Sequence, residues 1–263
     1  MITTITIPKD AFPSGQYEVT LKAPTFKDRV LARKKHPGED SRCGYTVQDL
    51  LCAMCLHSVN GREVPQGPFE VIDRLKQIPL ADSQFLLTVF LSTFTVDEEL
   101  AAKAKELADK FRSQGTQQCT IPAVDMPTGG FSVTFVEPVM EDSMRLERLY
   151  PGENSNCGYS FEEMVFADSI IAVDGNPVRK TNDPIQLIMD WNHLDAQFAC
   201  AVFLKVAYID QQRGREGERL GKSLRSGLYK VDATKGSGVT AQTSSVRVSS
   251  KPASTKDTSA NSD

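Results

Sequence analysis

Pro37-Gly38-Glu39-Asp40-Ser41-Arg42-Cys43-Gly44-Tyr45-Thr46-Val47-Gln48-Asp49 returns as Pro151-Gly152-Glu153-Asn154-Ser155-Asn156-Cys157-Gly158-Tyr159-Ser160-Phe161-Glu162-Glu163, displaced by 114 positions. The match runs outward on both sides. Without a gap from 17 to 64, Val19, Thr20, Pro24, Asp28, Ala53, Val59, Gly61 and Val64 also meet identical residues at 133, 134, 138, 142, 167, 173, 175 and 178. After small length changes around 65 to 82, Asp82, Gln84, Phe85, Val89, Phe90, Leu91 and Asp97 meet Asp195, Gln197, Phe198, Val202, Phe203, Leu204 and Asp210, and Leu107 and Arg112 meet Leu220 and Arg225. Self-similarity at a fixed displacement marks a duplicated structural unit. The length changes place a loop or helix end at 65–82.

Each copy has a local reading. Tyr17-Glu18-Val19-Thr20-Leu21 and Phe131-Ser132-Val133-Thr134-Phe135 alternate apolar and polar residues, the pattern of half-buried strands, with a proline three residues later. Short helices are expected at 26–35 and 140–149, ending at Pro-Gly-Glu. Thr46 with Asp49, and Ser160 with Glu163, have capping-box spacing, and Tyr45 with Leu50, and Tyr159 with Met164, supply the staple from N′ to N4. The helices that follow carry Leu50, Leu51, Met54 and Leu56, or Met164, Val165, Ile170 and Ile171. They stop at Val59-Asn60-Gly61 and Val173-Asp174-Gly175, where Asn-Gly and Asp-Gly predict a tight β-hairpin. Further helices are expected at 68–77, 82–95 and 97–112, and again at 184–192, 195–208 and 211–226.

The fold expected is therefore α+β and mainly α-helical, two tandem copies of a small domain with an N-terminal strand, a short hairpin and several helices. Its parts are a strand or arm at 1–16, repeat domains at 17–112 and 131–226, a linker at 113–130, and a tail at 227–263. The tail is rich in Ser, Thr and Lys with almost no large apolar residue, a composition that cannot offset the entropy of ordering, so it is expected to be disordered.

The whole chain has 263 residues, 40% of them apolar, and a formal charge of -4, which leaves room for ordinary cores and argues against nucleic acid as partner. No apolar run is long enough for a membrane span, and Met1-Ile2-Thr3-Thr4-Ile5 lacks the basic start of a signal peptide, so a cytoplasmic protein is expected. Six cysteines, at 43, 52, 55, 119, 157 and 200, form no dense framework and read as reduced thiols.

Candidate chemistry is sparse. Cys52-Ala53-Met54-Cys55, with His57 and Cys43 nearby, has the C-x2-C spacing of a zinc site, yet it lies in an apolar helix, and the second copy has Phe166 and Ser169 in its place. Core packing is the favoured reading, with zinc or redox chemistry as alternatives. Cys43 and Cys157 match across the copies and read as small buried residues before a helix cap, without a His or Asn arrangement that would nominate a nucleophile. His36, His57 and His193 do not match between copies. Asp82 and Asp195 precede Gln-Phe and read as helix N-caps rather than paired acids. Hydrolase, phosphate-loop, metalloprotease and dinucleotide fingerprints are missing from the sequence. No catalytic residue, metal ligand or cofactor is expected, and the chain reads as a non-enzyme.

Phe85-Leu86-Leu87-Thr88-Val89-Phe90-Leu91-Ser92-Thr93-Phe94 and Phe198-Ala199-Cys200-Ala201-Val202-Phe203-Leu204-Lys205-Val206-Ala207 are apolar nearly all round. Such helices belong to a core, or also face a partner. The partner-binding candidates are Phe85, Leu86, Phe90, Phe94, Phe198 and Phe203, offered to an extended or helical client.

The order of strand, short helix, [ST]-x-x-[DE] helix, Val-Asn-Gly or Val-Asp-Gly turn and helices around Asp-x-Gln-Phe resembles the tail assembly chaperones and baseplate hub assembly proteins of tailed bacteriophages. The Ser/Thr-rich extension is similar to that of lambda-type tail chaperones. The resemblance covers each copy, 17–112 and 131–226, and departs from the family in the duplication. It implies a non-enzymatic phage protein in the host cytoplasm that shields apolar helical segments of the tape measure protein during tail assembly. The first alternative is a structural baseplate or tail component of the virion. The second is a thiol or metal-dependent enzyme built on Cys52 and Cys55.

Overall fold

The computed structural model describes residues 4–38, 43–64, 72–73, 75–115, 117–152, 157–208, 215 and 217–223. The fold is α+β, with two four-stranded antiparallel sheets and seven α-helices whose two ends both fall among those residues. Met1–Asp210 is one compact unit, and a second unit begins at Gln211. In that second unit residues 215 and 217–223 are helical. The expected tail at 227–263 lies outside the described residues, as does most of the helix expected at 68–77.

The first sheet runs β1 (Thr4–Ile7), β2 (Val19–Lys22), β3 (Leu56–Val59) and β4 (Arg62–Glu63) in spatial order. Between β2 and β3 the chain makes α1 (Phe26–Lys35) and α2 (Val47–Met54), and after β4 it makes α3 (Leu80–Phe94) and α4 (Glu98–Gln114). The second copy repeats the order: β5 (Gln118–Ile121), β6 (Val133–Val136), α5 (Met140–Leu149), α6 (Phe161–Ser169), β7 (Ile170–Val173), β8 (Asn176–Pro177) and α7 (His193–Ala207), with a short 3-10 helix at Pro184–Ile188 before α7.

Local chemistry sets these elements. Thr46 accepts from the Asp49 amide while Asp49 accepts from the Thr46 amide, and Ser160 and Glu163 do the same; Thr25 and Asp28 form a third reciprocal box at the start of α1. Asn60 and Gly61, and Asp174 and Gly175, have φ of 51°, 73°, 50° and 73°, the paired left-handed residues of a type I′ hairpin. Asn60 Oδ1 accepts from the Glu18 amide at 2.8 Å and Asp174 Oδ1 from the Ser132 amide at 2.7 Å, so each hairpin tip is tied to the strand beside it. Both sheets carry a register shift at the same place, between Thr20 and Leu21 and between Thr134 and Phe135.

Three expectations are corrected. Leu56, Ile170 and Ile171 are strand residues rather than helix residues, since α2 and α6 end at Met54 and Ser169 and hand over to β3 and β7. The run Ile170-Ile171-Ala172-Val173 is mostly β-branched, which favours the pleated surface. Residues 113–130 are not a linker: they hold the end of α4, all of β5 and a 3-10 turn at Ala123–Asp125. β5 pairs with β6 as β1 pairs with β2, so the duplicated unit begins at the first strand of each sheet.

The third correction concerns α4. It follows the first copy in sequence, yet Ala104, Leu107, Ala108 and Phe111 belong to the second core, with the Phe111 ring edge-on to Phe135 at 6.4 Å. Phe26 and Val30 of α1 enter that same core. The first core keeps Val19, Leu21, Leu50, Leu51, Cys52, Leu56, Leu86, Phe90 and Phe94. The two copies are thus packed together through α1 and α4 rather than strung on a tether.

Candidate functional site

The six aromatic and aliphatic partner candidates fall mostly inside. Leu86, Phe90, Phe198 and Phe203 are fully buried and Phe94 is 3% exposed, so these five have no surface to offer a client; only Phe85 is half-open, its ring edge-on to Phe12 at 5.3 Å. An all-round apolar helix is what a helix between a sheet and other helices requires, and in the second copy α4 and α6 supply the outer cover. The expectation that these residues form a client surface is corrected accordingly.

The thiols sort by depth. Cys52 and Cys55 are 1% and 3% exposed within the first core, and burial pushes both thiols well above their ordinary value. Burial pushes Cys200 up to about 12. Such groups stay as thiols and pack as small apolar side chains. Among the described residues no group of three or more His, Cys, Asp or Glu side chains is placed to hold a metal ion.

Cys43 and Cys157 are half-buried and occupy matched stations. Cys43 Sγ donates to the Tyr45 carbonyl at 3.2 Å, and Cys157 Sγ to the Tyr159 carbonyl at 3.1 Å. The same two carbonyls meet the His36 ring at 2.9 Å and the Tyr150 hydroxyl at 3.1 Å. His36 and Tyr150 are therefore one structural position filled by two chemistries, and Cys43 Sγ lies 3.6 Å from His36 Nε2. Sequence reasoning saw the cysteines but not these partners, because a histidine aligned with a tyrosine leaves no identity to notice.

Asp82 and Asp195 are the third residues of their helices, not N-caps; the position before α3 is Pro79, and α7 is capped by the Asn192 side chain. Both carboxylates are fully buried and clamp the turn that follows the first strand of their sheet. Asp82 accepts from the Ser14 amide at 3.0 Å; Asp195 accepts from the Thr128 amide at 3.0 Å and from the Thr128 hydroxyl. Their role is to close the unit.

Burial raises the Asp195 carboxyl above its ordinary value of 3.8, while the bonds from Thr128 pull the other way. A carboxyl with a raised folded-state pKa binds its proton more firmly folded than unfolded. Stability therefore falls as pH rises from the ordinary aspartate value to the raised one. Asp195→Asn is expected to flatten that slope and hold near wild-type stability at pH 7, whereas Asp195→Ala should cost about 1–3 kcal/mol by leaving the Thr128 amide and hydroxyl without their acceptor. Denaturant titrations of both variants at several pH values measure this.

One polar cluster was not legible in the sequence. Asp168 of α6, 3% exposed at its side chain, takes Arg145 at 2.6 Å and Lys180 at 3.4 Å, beside a cavity of about 270 Å³ lined in part by Ile170, Val178 and Leu187. Its members come from three separate segments, and the first copy has Met54 at the matching place. The two cations offset the charge of a buried carboxylate. His193, 2% exposed, is held neutral: burial lowers it to about 3, with Arg29 and Arg33 adding to the effect.

The surface is interrupted by apolar side chains at a few places. On α5 and just before it, Val139, Met140 and Met144 are 62%, 80% and 49% exposed; Leu80 opens α3 at 72%. No helix among the described residues is long and apolar enough to cross a membrane. No protein-family model matches the sequence, no curated protein is significantly similar to it, and no solved structure matches the fold.

Proposed function

We propose that the chain is a non-enzymatic protein of bacteriophage tail assembly that works by holding other polypeptides, with apolar helical segments of the tape measure protein as its client. The observation that carries the reading is the exposed apolar row Val139, Met140 and Met144, since methionines are adaptable, polarizable side chains suited to irregular apolar partners. The thiols and carboxylates singled out in the sequence are engaged in packing or clamping, in keeping with a binding role. The phage assignment itself rests on the resemblance in element order and spacing to tail assembly chaperones.

Co-expression tests it. Soluble yield of a phage tape measure protein should rise with this chain present and fall back with Met140→Asp/Met144→Asp. An unchanged yield in both cases rejects the chaperone reading.

A structural component of the tail or baseplate is the second reading. It is favoured by the firm joint between the copies, in which Phe26 and Val30 sit in the second core and make the pair a rigid spacer. Persistence of the chain in purified particles, with no effect on client yield, would select it.

A further inference from the structure

The two copies treat one helix face differently. In the second copy α4 lies along α7, and its stripe of Ala104, Leu107, Ala108 and Phe111 enters the core that holds Phe198 and Val202, both fully buried. Two cations flank the stripe. Lys103 lies over the Phe198 ring at 5.9 Å, and Arg112 donates to the carbonyl of Tyr208, the C-cap of α7, at 3.1 Å. α4 is thus an amphipathic helix anchored at i, i+3, i+4 and i+7, small and large residues in turn, with a positive charge beside each end of the row.

The first copy has the same face without that cover. α3 is the counterpart of α7, so Phe198, Val202 and Tyr208 correspond to Phe85, Val89 and Thr95. Phe85 and Val89 are half-buried where Phe198 and Val202 are closed off, and Ile5 of β1 is half-buried where the matching Cys119 of β5 is 2% exposed. No residue of α4 belongs to the first core.

The open flank suits a close neighbour. Phe85, Thr88, Val89 and Ser92 stand at i, i+3, i+4 and i+7 of α3, so they share one side of the helix. Thr88 and Ser92 are small and exposed, and both hydroxyls turn back on the helix: Thr88 Oγ1 donates to the Gln84 carbonyl at 2.8 Å and Ser92 Oγ to the Thr88 carbonyl at 2.9 Å. Covering them strands no donor, so another helix can lie here without the cost of an unsatisfied polar group.

We propose that this flank of α3 is a docking site for the client, and that the client segment is an α-helix built like α4: small residues at i and i+4, large apolar residues at i+3 and i+7, and a lysine or arginine just before and just after the row. The inference rests on the reading of the chain as a holder of apolar helical segments, and adds where such a segment sits and what it must look like. The leading cation faces the Phe85 ring as Lys103 faces that of Phe198, and the trailing one reaches carbonyls at the C-terminal end of α3. The client helix makes between molecules the contact that α4 makes within one. It lacks the covalent link that gives α4 a high effective concentration, so it binds reversibly while α4 stays in place.

A synthetic peptide of α4, residues 98–114 with a fluorophore at its N-terminus, is the probe; it is titrated with the purified full chain and read by anisotropy. Saturable binding is expected, and it should be at least tenfold weaker for Thr88→Arg/Ser92→Arg, which sets two long charged side chains on the flank at exposed positions and should leave the melting temperature unchanged. The Met140→Asp/Met144→Asp chain should bind the peptide as the wild type does, whereas a peptide carrying Leu107→Ser and Phe111→Ser should not bind. No anisotropy change up to ~0.5 mM chain overturns the proposal. Binding that survives Thr88→Arg/Ser92→Arg does the same. So does a chain that sediments as a dimer and is split into monomers by that variant, since a second copy then fills the flank. A raised soluble yield of the tape measure protein that Thr88→Arg/Ser92→Arg leaves untouched removes this site and spares the chaperone reading; peptide binding at α3 with no effect on that yield spares the site and removes the chaperone reading.

Discussion

Gly158→Ala is expected to unseat α1 from the second core and to be among the most damaging small substitutions in the chain. Gly158 has φ of +82°, and an added Cβ would collide with the Val30 carbonyl oxygen, with Val30 Cγ1 at 3.0 Å and Lys34 Cγ at 3.1 Å. A backbone oxygen cannot swing aside like a side-chain tip, so the helix itself must move. It carries Phe26 and Val30, the amide bonds to Trp191 and Met189, and the Arg29–Glu163 pair. Left-handed strain costs about 1 kcal/mol and overpacking about 1–3 kcal/mol more, so a loss of roughly 2–4 kcal/mol follows. Gly44→Ala is the built-in comparison. It shares the positive φ, +74°, but meets nothing, and should cost only the strain. Thermal melts of the two variants side by side read the difference, and equal shifts would mean that α1 is not seated on Gly158.

Phe203→Ala should unfold the second half of the molecule well before it weakens any binding. The ring is fully buried, edge-on to Phe135 at 5.5 Å and tilted against Phe166 at 5.4 Å. Removing a buried aromatic side chain costs about 3–5 kcal/mol, a large share of the roughly 5–15 kcal/mol that holds a domain together. For a unit of this size the melting temperature should drop by roughly 6–20 °C. Phe85→Ala, at a half-open ring, should lose much less. If both variants melt like the wild type, Phe203 is a surface residue and does not pack between Phe135 and Phe166.

The contrast between Phe203 and Phe85 shows how far the sequence could be read. Helix starts were legible because a capping box is a short-range exchange between a hydroxyl and a carboxylate three residues on, and both residue types are printed in the chain; the Asn-Gly and Asp-Gly turns are local in the same sense. The duplication was legible from identities. Its true start was less so: β1 and β5 share Thr6 with Thr120, Ile7 with Ile121 and Pro8 with Pro122, but Gln118–Ile121 sits in a Gly-, Gln- and Pro-containing stretch that reads as linker. The destination of α4 was not legible at all. Its stripe of Ala104, Leu107, Ala108 and Phe111 says that one face is buried, and nothing in an amphipathic stripe says in which copy. For the same reason the apolar faces of α3 and α7 could not be divided into core and surface until α4 was seen to cover only one of them. The buried role of Asp82 and Asp195 depends on Ser14 and Thr128, which lie far away in sequence.

The two hairpin tips differ by a single atom type, and that difference makes the first copy age faster than the second. Asparagine followed by glycine is the pair at which the side-chain carbonyl is most easily attacked by the next backbone nitrogen, since glycine puts nothing in the way and ammonia leaves; Asn60-Gly61 has that chemistry, while Asp174-Gly175 closes the same ring only by losing water from a carboxyl group, a much slower step. If the succinimide that forms opens to aspartate, the tip becomes what Asp174 already is, with a carboxylate oxygen able to take the Glu18 amide as Asp174 takes that of Ser132, and the only trace is one more negative charge. Opening the other way inserts a carbon into the backbone between Asn60 and Gly61, which breaks the Val59–Arg62 and Ser58–Glu63 register and frays β4. Stored protein should therefore split into an acidic form that folds normally and an isoaspartyl form loosened at one hairpin, with the second copy serving as the slower-ageing reference inside the same molecule.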